Sequence, residues 1–298
     1  MRDSASVGGG PIRLLSFDLE EYFQVEAAAG GVAPGQWESL PQRLPAAVDK
    51  VLELLEAHGS SATFFVLGWV ALRQPGMIRR ISQAGHEVAS HGMGHSMISR
   101  LSRREFRQEL LDSRRVLEDT VGWTVAGYRA PTFSITHRTA WALDVLAEAG
   151  FAYDSSVFPI RHDRYGVPDA PRFAHKAVGP GGGCLLEIPP LTMRALGANI
   201  PVGGGGYFRL LPLSVVRGAI GSAARLGRPA MIYLHPWELD PLQPALPMSR
   251  LNRLRHRFGL TRTERNLRKL LERYRFTDVA RRMGEIQACA VETFTYGR

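Results

Sequence analysis

The sequence has little of what membrane-spanning or disulfide-stabilised proteins require. No uninterrupted apolar stretch among its 298 residues approaches the ~20 residues needed to cross a bilayer. Only two cysteines are present, Cys184 and Cys289, which excludes a disulfide framework and predicts two inert thiols. The opening residues, MRDSASVGGG, lack the apolar segment of a secretory signal peptide. Together these absences predict a cytoplasmic protein.

Lysine is scarce, and the positive charge is concentrated near the end of the chain. The formal net charge is +9, within an ordinary globular composition of 45% hydrophobic and 22% charged residues. Residues 249–282 contain twelve basic and three acidic residues, and this difference of nine equals the whole net charge. The segment therefore predicts a basic surface. Nucleic acid is not the expected partner, because no recognisable binding motif accompanies the charge.

Hydrophobic patterning predicts strands that alternate with helices. Mainly apolar stretches at residues 12–17, 62–67 and 230–234 are typical of buried strands. Helical spacing follows several of these stretches, and Ser102 with Glu105 forms a capping box at the start of one helix. Such alternation indicates a parallel sheet. The predicted fold is α/β, a distorted seven-stranded (β/α) barrel with a C-terminal helical extension.

Polar residues recur where the predicted strands end, which is where barrel enzymes place their chemistry. The five strand ends carry Asp18-Leu19-Glu20-Glu21, Ser90-His91-Gly92-Met93-Gly94-His95, Arg129-Ala130-Pro131, Asp154-Ser155-Ser156 and His235-Pro236-Trp237-Glu238. Each motif alone has an ordinary interpretation, such as a helix N-cap or a pair of surface histidines. Five on one rim are hard to explain by stability, because burying charges costs several kcal/mol unless they pair or bind a metal.

Two histidines four residues apart suit a metal site. His91 and His95 can present imidazole nitrogens to one ion if the turn between them is compact, which Gly92 and Gly94 allow. A carboxylate from the first strand would complete three protein ligands. A second carboxylate could accept a proton from water, an opposite histidine could protonate a leaving nitrogen, and an arginine could keep the base ionised. The set predicts metal-assisted amide hydrolysis.

At these residues the chain resembles the polysaccharide deacetylase family, the NodB-homology domain of carbohydrate esterase family 4. The motifs occur in the family's order from the first predicted strand to the last, so the resemblance spans most of the chain. The roles that it implies are catalytic base for Asp18, catalytic acid for His235, positioning arginine for Arg129 and metal ligands for His91 and His95.

One position departs from the family pattern. The family has two adjacent aspartates, the second of which binds the metal, whereas here Leu19 follows Asp18. Because side chains alternate along a strand, Asp18 and Glu20 share a face if the strand continues that far. We therefore expect Glu20 to be the third metal ligand, with Glu21 as the alternative. The expected cofactor is one divalent metal ion, with zinc favoured over cobalt, nickel or manganese.

The resemblance also implies groups that surround the substrate. The backbone N–H of Thr132 would help to stabilise the oxyanion. Trp237 and Tyr207 could stack on sugar rings, although aromatic residues more often belong to a core. Asp154 is predicted to be structural. The four glycines at 203–206 lack the context of a dinucleotide site and are predicted to form a flexible loop at the rim.

Four short motifs, DLEEYF, YDSS, GGYF and HPWE, resemble a bacterial subgroup found at exopolysaccharide loci associated with exosortase. The implied organisation is a flexible leader at residues 1–11, a deacetylase barrel at 12–245 and an Arg-rich extension at 246–298 packed on the barrel. The implied activity is release of acetate from an N-acetylated sugar in a polysaccharide or lipid-linked glycan precursor. The alternatives are an amidohydrolase of this fold acting on a small non-sugar amide, and a non-catalytic glycan-binding protein.

The Arg-rich extension contains one clearly amphipathic stretch. Thr261 with Glu264 forms a capping box, and Leu267, Leu270 and Leu271 follow at helical spacing. The apolar face is expected to pack on the barrel, and these basic residues are expected to face outward: Arg262, Arg265, Arg268, Lys269, Arg273 and Arg275. A solvated face and a peripheral contact with the anionic inner face of a membrane stay open as interpretations.

Overall fold

The structure is a computed structural model that describes residues 10–162 and 164–297, so most of the predicted leader at 1–11 lies outside the described residues. The strands are β1 (Arg13–Leu19), β2 (Thr63–Val66), β3 (Glu87–Ser90), β4 (Gly127–Tyr128), β5 (Tyr153–Asp154), β6 (His175–Val178), β7 (Cys184–Glu187), β8 (Thr192–Ala195), β9 (Ala198–Pro201), β10 (Ala230–Leu234) and β11 (Thr293–Thr295). None of the described helices is both long and apolar enough to cross a bilayer.

Helices connect most of these strands. The α-helices are α1 (Leu44–Ala57), α2 (Gly68–Arg73), α3 (Pro75–Gln83), α4 (Arg103–Val121), α5 (Trp141–Glu148), α6 (Gly205–Leu210), α7 (Leu213–Arg225), α8 (Arg250–Arg257), α9 (Leu260–Leu271) and α10 (Val279–Cys289). Single 3-10 turns lie at Glu26–Ala28, Pro34–Ser39, Ile98–Arg100, Pro131–Phe133, His137–Thr139 and Pro236–Leu239. The predicted capping box of α4 is confirmed, since Ser102 and Glu105 exchange both hydrogen bonds.

The main sheet has the strand order β10-β1-β2-β3-β4-β5-β7-β6-β11. Its first seven strands are mutually parallel, which confirms the predicted α/β architecture and its seven parallel strands. β6 runs antiparallel to β7, and β11 pairs with β6. Isolated bridges join Pro190 to Met231 and Gly204 to Tyr233. The described strands therefore curve towards closure without a continuous closed ladder, and the barrel is distorted and open.

β1 is buried on both faces, as a central strand in such a sheet must be. Leu15, Phe17 and Leu19 point into the large core shared with the helices. Leu14 points to the other side, into a second cluster inside the sheet's curve. With a side-chain period of two, Asp18 falls on the face of Leu14, so the carboxylate at the end of β1 faces the interior.

The four-glycine segment at 203–206 differs from the predicted flexible loop. Gly203 O accepts a hydrogen bond from Tyr233 N at 2.7 Å, and Gly204 forms a bridge with Tyr233 in β10. A Cβ atom on Gly204 would lie 1.8 Å from Tyr233 O, so only glycine permits this approach. The glycines serve close packing against β10, and the prediction of a flexible loop was wrong.

The C-terminal segment follows its predicted face but not its predicted start. α9 begins at Leu260 after Gly259, which is left-handed at φ +71°, so the predicted capping box at Thr261 is wrong. Leu267, Leu270 and Leu271 are buried, as expected. The six predicted basic residues, Arg262, Arg265, Arg268, Lys269, Arg273 and Arg275, are all exposed. The division at residue 245 stays a prediction, and β11 pairs within the main sheet.

Candidate active site

Arg129 and Asp18 form a fully buried ion pair at the carboxyl ends of β4 and β1. Arg129 Nη1 donates to Asp18 Oδ1 at 2.6 Å and to Ser16 Oγ at 2.9 Å. Nε and Nη2 of the same guanidinium donate to Ser155 O and Ser155 Oγ at 3.1 and 2.8 Å. The cation also lies 4.0 Å from the centre of the Phe65 ring. These contacts hold Asp18 Oδ1 in place and leave Oδ2 directed at the rest of the site.

The structure brings Glu20, His91 and His95 together into a candidate metal centre. One ligand-type atom from each of these buried residues lies within 4.8 Å of the others. The condition that β1 continues as far as Glu20 is not met, because the strand ends at Leu19. The Glu20 N–H instead donates to Asp18 O at 3.1 Å, and this tight turn carries the carboxylate to the histidines.

The two histidines are oriented by their backbone surroundings. His91 Nδ1 lies 2.8 Å from the carbonyl oxygen of Arg129, so that its Nε2 is the atom free to coordinate an ion. Burial lowers the pKa of His91 to about 4, which favours the neutral imidazole that metal binding requires. His95 has a positive φ of +56°, and Gly92 has φ +81°, which makes the turn between them compact.

The donor set fits a divalent metal ion. Glu20 Oε2 is buried and lies 2.5 Å from His95 Nε2, so these two donor atoms are adjacent. Burial raises the pKa of Glu20, but the nearby imidazoles of His95, His235 and His91 outweigh this effect and lower it to about 2. One carboxylate and two imidazoles form a set that zinc and several related divalent metals accept.

Glu21, the alternative ligand, is turned away from this centre. Its Oε1 accepts hydrogen bonds from the backbone N–H groups of Arg43 and Leu44, both at 2.9 Å. Glu21 thereby satisfies N–H groups at the start of α1, where a negative charge is favoured.

We expect Glu20→Gln to weaken metal binding, measured by equilibrium zinc titration, by about tenfold or more, because the charged oxygen donor is lost. Glu21→Gln is the matched control, and its zinc affinity should stay near that of the unchanged protein. Its cost should appear as a lower melting temperature, since α1 loses its N-terminal carboxylate. A larger loss of zinc affinity in Glu21→Gln would move the ligand to Glu21.

His235 is held by a carboxylate on its own loop. His235 Nδ1 lies 2.7 Å from Glu238 Oε1, and its Nε2 lies 3.6 Å from Glu20 Oε1 and 3.9 Å from Asp18 Oδ2. Burial disfavours the imidazolium, but the hydrogen bond to Glu238 and the charges of Glu20, Glu238 and Asp18 raise the pKa of His235 to about 9. These contacts favour the protonated imidazole, and its Nε2 faces the carboxylates of Asp18 and Glu20.

The sequence analysis did not predict that Glu238 holds His235, or that Arg209 in turn holds Glu238. Arg209 Nε lies 2.9 Å from Glu238 Oε2 in a buried ion pair, and Arg209 Nη1 donates to the carbonyl oxygens of His256 and Phe258. The HPWE motif, with a carboxylate three residues after the histidine, could have indicated Glu238. No local signal indicates Arg209, which reaches Glu238 only through the fold.

Asp154, which was predicted to be structural, supports the loop that follows Arg129 through the hydroxyl of Ser156. Ala130 N donates to Ser156 Oγ at 2.7 Å, and Ser156 Oγ donates to Asp154 Oδ1 at 2.5 Å. Burial raises the pKa of Asp154 to about 6, and Glu187 beside it has a pKa raised well above its ordinary value by burial and by the charge of Asp154. The two carboxyl groups form a buried pair beneath the loop.

Three residues were predicted to surround the substrate, Thr132, Trp237 and Tyr207, and the structure gives each a different environment. Thr132 has φ +58° and Phe133 φ +50°, a strained turn in non-glycine residues next to the buried pair of Arg129 and Asp18. Trp237 is 6% exposed, stacks with two imidazoles, and donates its indole N–H to Glu20 Oε1 at 3.2 Å. This placement leaves little ring surface for a sugar and makes Trp237 a support of Glu20. Tyr207 is partly buried in α6, and its role stays a prediction.

The fold and the site together are typical of a hydrolase class: a parallel α/β sheet whose strand ends carry a buried carboxylate, a histidine and a candidate metal centre. The polysaccharide deacetylase family model matches residues 37–153, which include His91, His95 and Arg129. A chitooligosaccharide deacetylase from Bradyrhizobium sp. (strain ANU 289) is 32% identical over 188 residues, 57% of this chain and 84% of that protein. The chain belongs to the polysaccharide deacetylase family.

A second relative and a second family model also match this chain, and the second model covers residues 155–283. A chitooligosaccharide deacetylase from Sinorhizobium fredii is 34% identical over 156 residues, 49% of this chain and 68% of the relative. A second family model, a domain of unknown function (DUF3473), matches residues 155–283, in agreement with the exosortase-associated subgroup.

Two solved structures share the fold. A protein from Mycobacterium smegmatis assigned to the polysaccharide deacetylases has a TM-score of 0.62 at 20% identity, with 97% of this chain and 94% of that chain covered. Puue allantoinase has a TM-score of 0.58 at 17% identity, with 96% of each chain covered. At these identities the likeness concerns the fold alone.

Proposed function

We propose that this protein hydrolyses the N-acetyl amide of an N-acetylated sugar within a glycan and releases acetate. One observation carries the proposal: the oxygen proposed as the base and the nitrogen proposed as the acid lie close together, beside Glu20 of the candidate metal centre. Asp18 Oδ2 and His235 Nε2 are 3.9 Å apart, and Glu20 lies beside both. Opposed proton-accepting and proton-donating atoms are what hydrolysis of an amide requires, because water loses a proton and the leaving amine gains one.

The chain's own residues divide this proton transfer between two atoms. Arg129 occupies Asp18 Oδ1, so Oδ2 is the atom that accepts the proton of the attacking water. Glu238 occupies Nδ1 of His235, so Nε2 is the atom that donates a proton to the leaving nitrogen. In each side chain a buried partner occupies one polar atom, Arg129 at Asp18 Oδ1 and Glu238 at His235 Nδ1. The other polar atom is therefore the one that exchanges a proton with the substrate or water.

A divalent ion held by Glu20, His91 and His95 would supply Lewis-acid activation of water and of the amide carbonyl. The backbone N–H of Thr132 is the proposed second donor to the oxyanion. Zinc is the proposed ion because the donor set consists of two imidazoles and one carboxylate.

The substrate that we propose is a polysaccharide or lipid-linked precursor containing N-acetylglucosamine, in exopolysaccharide synthesis at the cytoplasmic face of a membrane. The names of the two rhizobial relatives support an N-acetylglucosamine oligomer. The exposed basic residues of α9 support an anionic neighbour such as a membrane surface.

Acetate release from N-acetylglucosamine oligomers, followed in the presence of zinc, tests the proposed function. We expect release of acetate together with a free amine on the sugar, and no release after treatment with a chelator. Allantoin and acetamide serve as small non-sugar amides in parallel reactions. Hydrolysis of these amides alone would favour the small-amide alternative, and binding of the oligomer without acetate release would favour a glycan-binding protein.

A further inference from the structure

α8 presents its apolar side chains to solvent instead of to the protein. Leu251 and Leu254 are 56% and 64% exposed, and Phe258, directly after the helix, is 42% exposed. These three positions have spacings of three and four residues, so they form one stripe along the helix. The buried residue of α8 is His256. A surface helix usually packs its leucines against the protein, whereas α8 packs a histidine against the protein and exposes its leucines.

The apolar stripe lies within a cationic surface. Arg250, Arg253, Arg255 and Arg257 on α8 are exposed, and residues 249–263 contain no acidic side chain. The exposed surface continues on both sides of the helix. Leu242, which is 81% exposed, precedes Gln243, whose oxygen atoms contact His256 and Arg257.

On the other side of α8, Leu210 is 58% exposed. It follows Arg209, whose guanidinium donates to the carbonyl oxygens of His256 and Phe258. A cleft of about 430 Å³ joins Leu210 to the exposed Arg262 and Arg265 at the start of α9. The α8 face, defined as α8 with Phe258, Leu210 and Leu242, is thus continuous with the basic side of α9.

The α8 face adjoins the active site. His256 stacks with Trp237 at 4.5 Å and an interplanar angle of 20°, and Trp237 donates to Glu20. α8 also contacts the turn at Glu26–Ala28, in the segment that follows β1. Both neighbours follow the carboxyl ends of strands, so the face lies on the same side of the barrel as the catalytic groups.

We propose that the α8 face docks on a bilayer with anionic headgroups, with its leucines and Phe258 among the lipids and its arginines on the headgroup phosphates. Interfacial helices have this combination of an exposed apolar stripe and flanking basic residues. A second copy of this chain fits poorly, because a twofold contact would bring two clusters of arginines together. The proposal deepens the proposed function, and rests on it only in taking a membrane-borne glycan as the substrate.

Docking would set the active site beside the headgroup layer, where the sugar of a lipid-linked glycan lies. Vesicle flotation measures the docking without any substrate. We expect binding to vesicles of equal parts phosphatidylcholine and phosphatidylglycerol, weakened by salt, and little binding to phosphatidylcholine alone.

Two double variants test the two parts of the face. Leu251→Ser with Leu254→Ser should lower the partition coefficient by about tenfold or more, because apolar insertion is lost. Arg250→Glu with Arg255→Glu should lower it by at least about fivefold for each replaced arginine. The matched controls are Leu72→Ser with Leu226→Ser, which are similarly exposed leucines elsewhere, and Arg104→Glu with Arg115→Glu on α4. Both controls should bind as the unchanged protein does.

Three results would overturn the docking proposal. One is absence of vesicle binding at low salt, and another is equal binding by the leucine variant and its control. The third is a dimer in solution that the leucine variant converts to a monomer, since a second copy would then cover the face. Acetate release from a soluble oligomer should be unchanged in the leucine variant. If the unchanged protein released no acetate, the proposed function would be refuted, but the vesicle-binding result would still stand.

Discussion

Asp18→Asn is expected to lower kcat for acetate release by about a hundred- to ten-thousandfold while the protein keeps its zinc. The amide cannot accept the proton of the attacking water, whereas Glu20, His91 and His95 stay in place. The measurements are kcat on an N-acetylglucosamine oligomer and the zinc content of the purified variant. His95→Ala provides the contrast, because it should lose activity and zinc together.

Stability must be measured with this variant, because Asp18→Asn leaves the buried Arg129 cation without its charge partner. Breaking a buried pair in this way costs about 3–5 kcal/mol. Asp278→Asn is a suitable control, since Asp278 is an equally buried carboxylate that binds Ser61 at the amino end of β2. The control should lose stability and keep its activity. Full activity in Asp18→Asn would show that Asp18 is not the base.

His235→Ala is expected to lower kcat by about a hundred- to ten-thousandfold without loss of zinc, because the leaving nitrogen loses its proton donor. The cost should be smaller for substrates whose leaving amine needs less protonation, such as acetylated nitroanilines. An equal cost for all leaving groups would contradict the role of His235 as an acid. His86→Ala, at a buried histidine beside the amino end of β3, controls for the loss of an imidazole from the core.

Glu238→Gln tests how the acid is kept protonated. The carboxylate of Glu238 stabilises the imidazolium, so its removal should lower the pKa of His235. An acid must be protonated to act, and the alkaline limb of the pH–rate profile should therefore move to lower pH. If the alkaline limb of the Glu238→Gln profile stayed at the same pH, a group other than His235 would set it.

The strand-end motifs predicted most of the fold and most of the site, because hydrophobic alternation fixes which elements form and where parallel strands end. The prediction of Glu20 shows the limit of that reasoning. It relied on a strand extending to Glu20, whereas the chain turns after Leu19 and brings the carboxylate to the histidines by a backbone hydrogen bond. A turn of this kind leaves no periodic signal in the sequence.

Long-range contacts away from the predicted strand ends could not be predicted. Arg209 reaches Glu238 and the end of α8 because α6, α8 and the loop after β10 meet in space. The sequence left open whether Trp237 stacks on a sugar or belongs to the core. The fold places its ring between the imidazoles of His235 and His256, and this depends on where α8 packs. The basic composition of the C-terminal segment was visible in the sequence, whereas the outward direction of Leu251 and Leu254 was not.

The pairing of β1 with β10 has a consequence for the order in which the protein acquires its activity. Of the described strands, β1 is the first and β10 the tenth along the chain, yet they are neighbours in the sheet, in register from Arg13 with Ala230 to Phe17 with Leu234. During synthesis β1 therefore keeps an unpaired edge until more than two hundred further residues have emerged. Asp18 and His235 can meet only after that closure, so a partly synthesised chain lacks the proposed catalytic pair. Closing so long a loop is slow, and the apolar edge of β1 is the part of the nascent chain most exposed to aggregation or to chaperones.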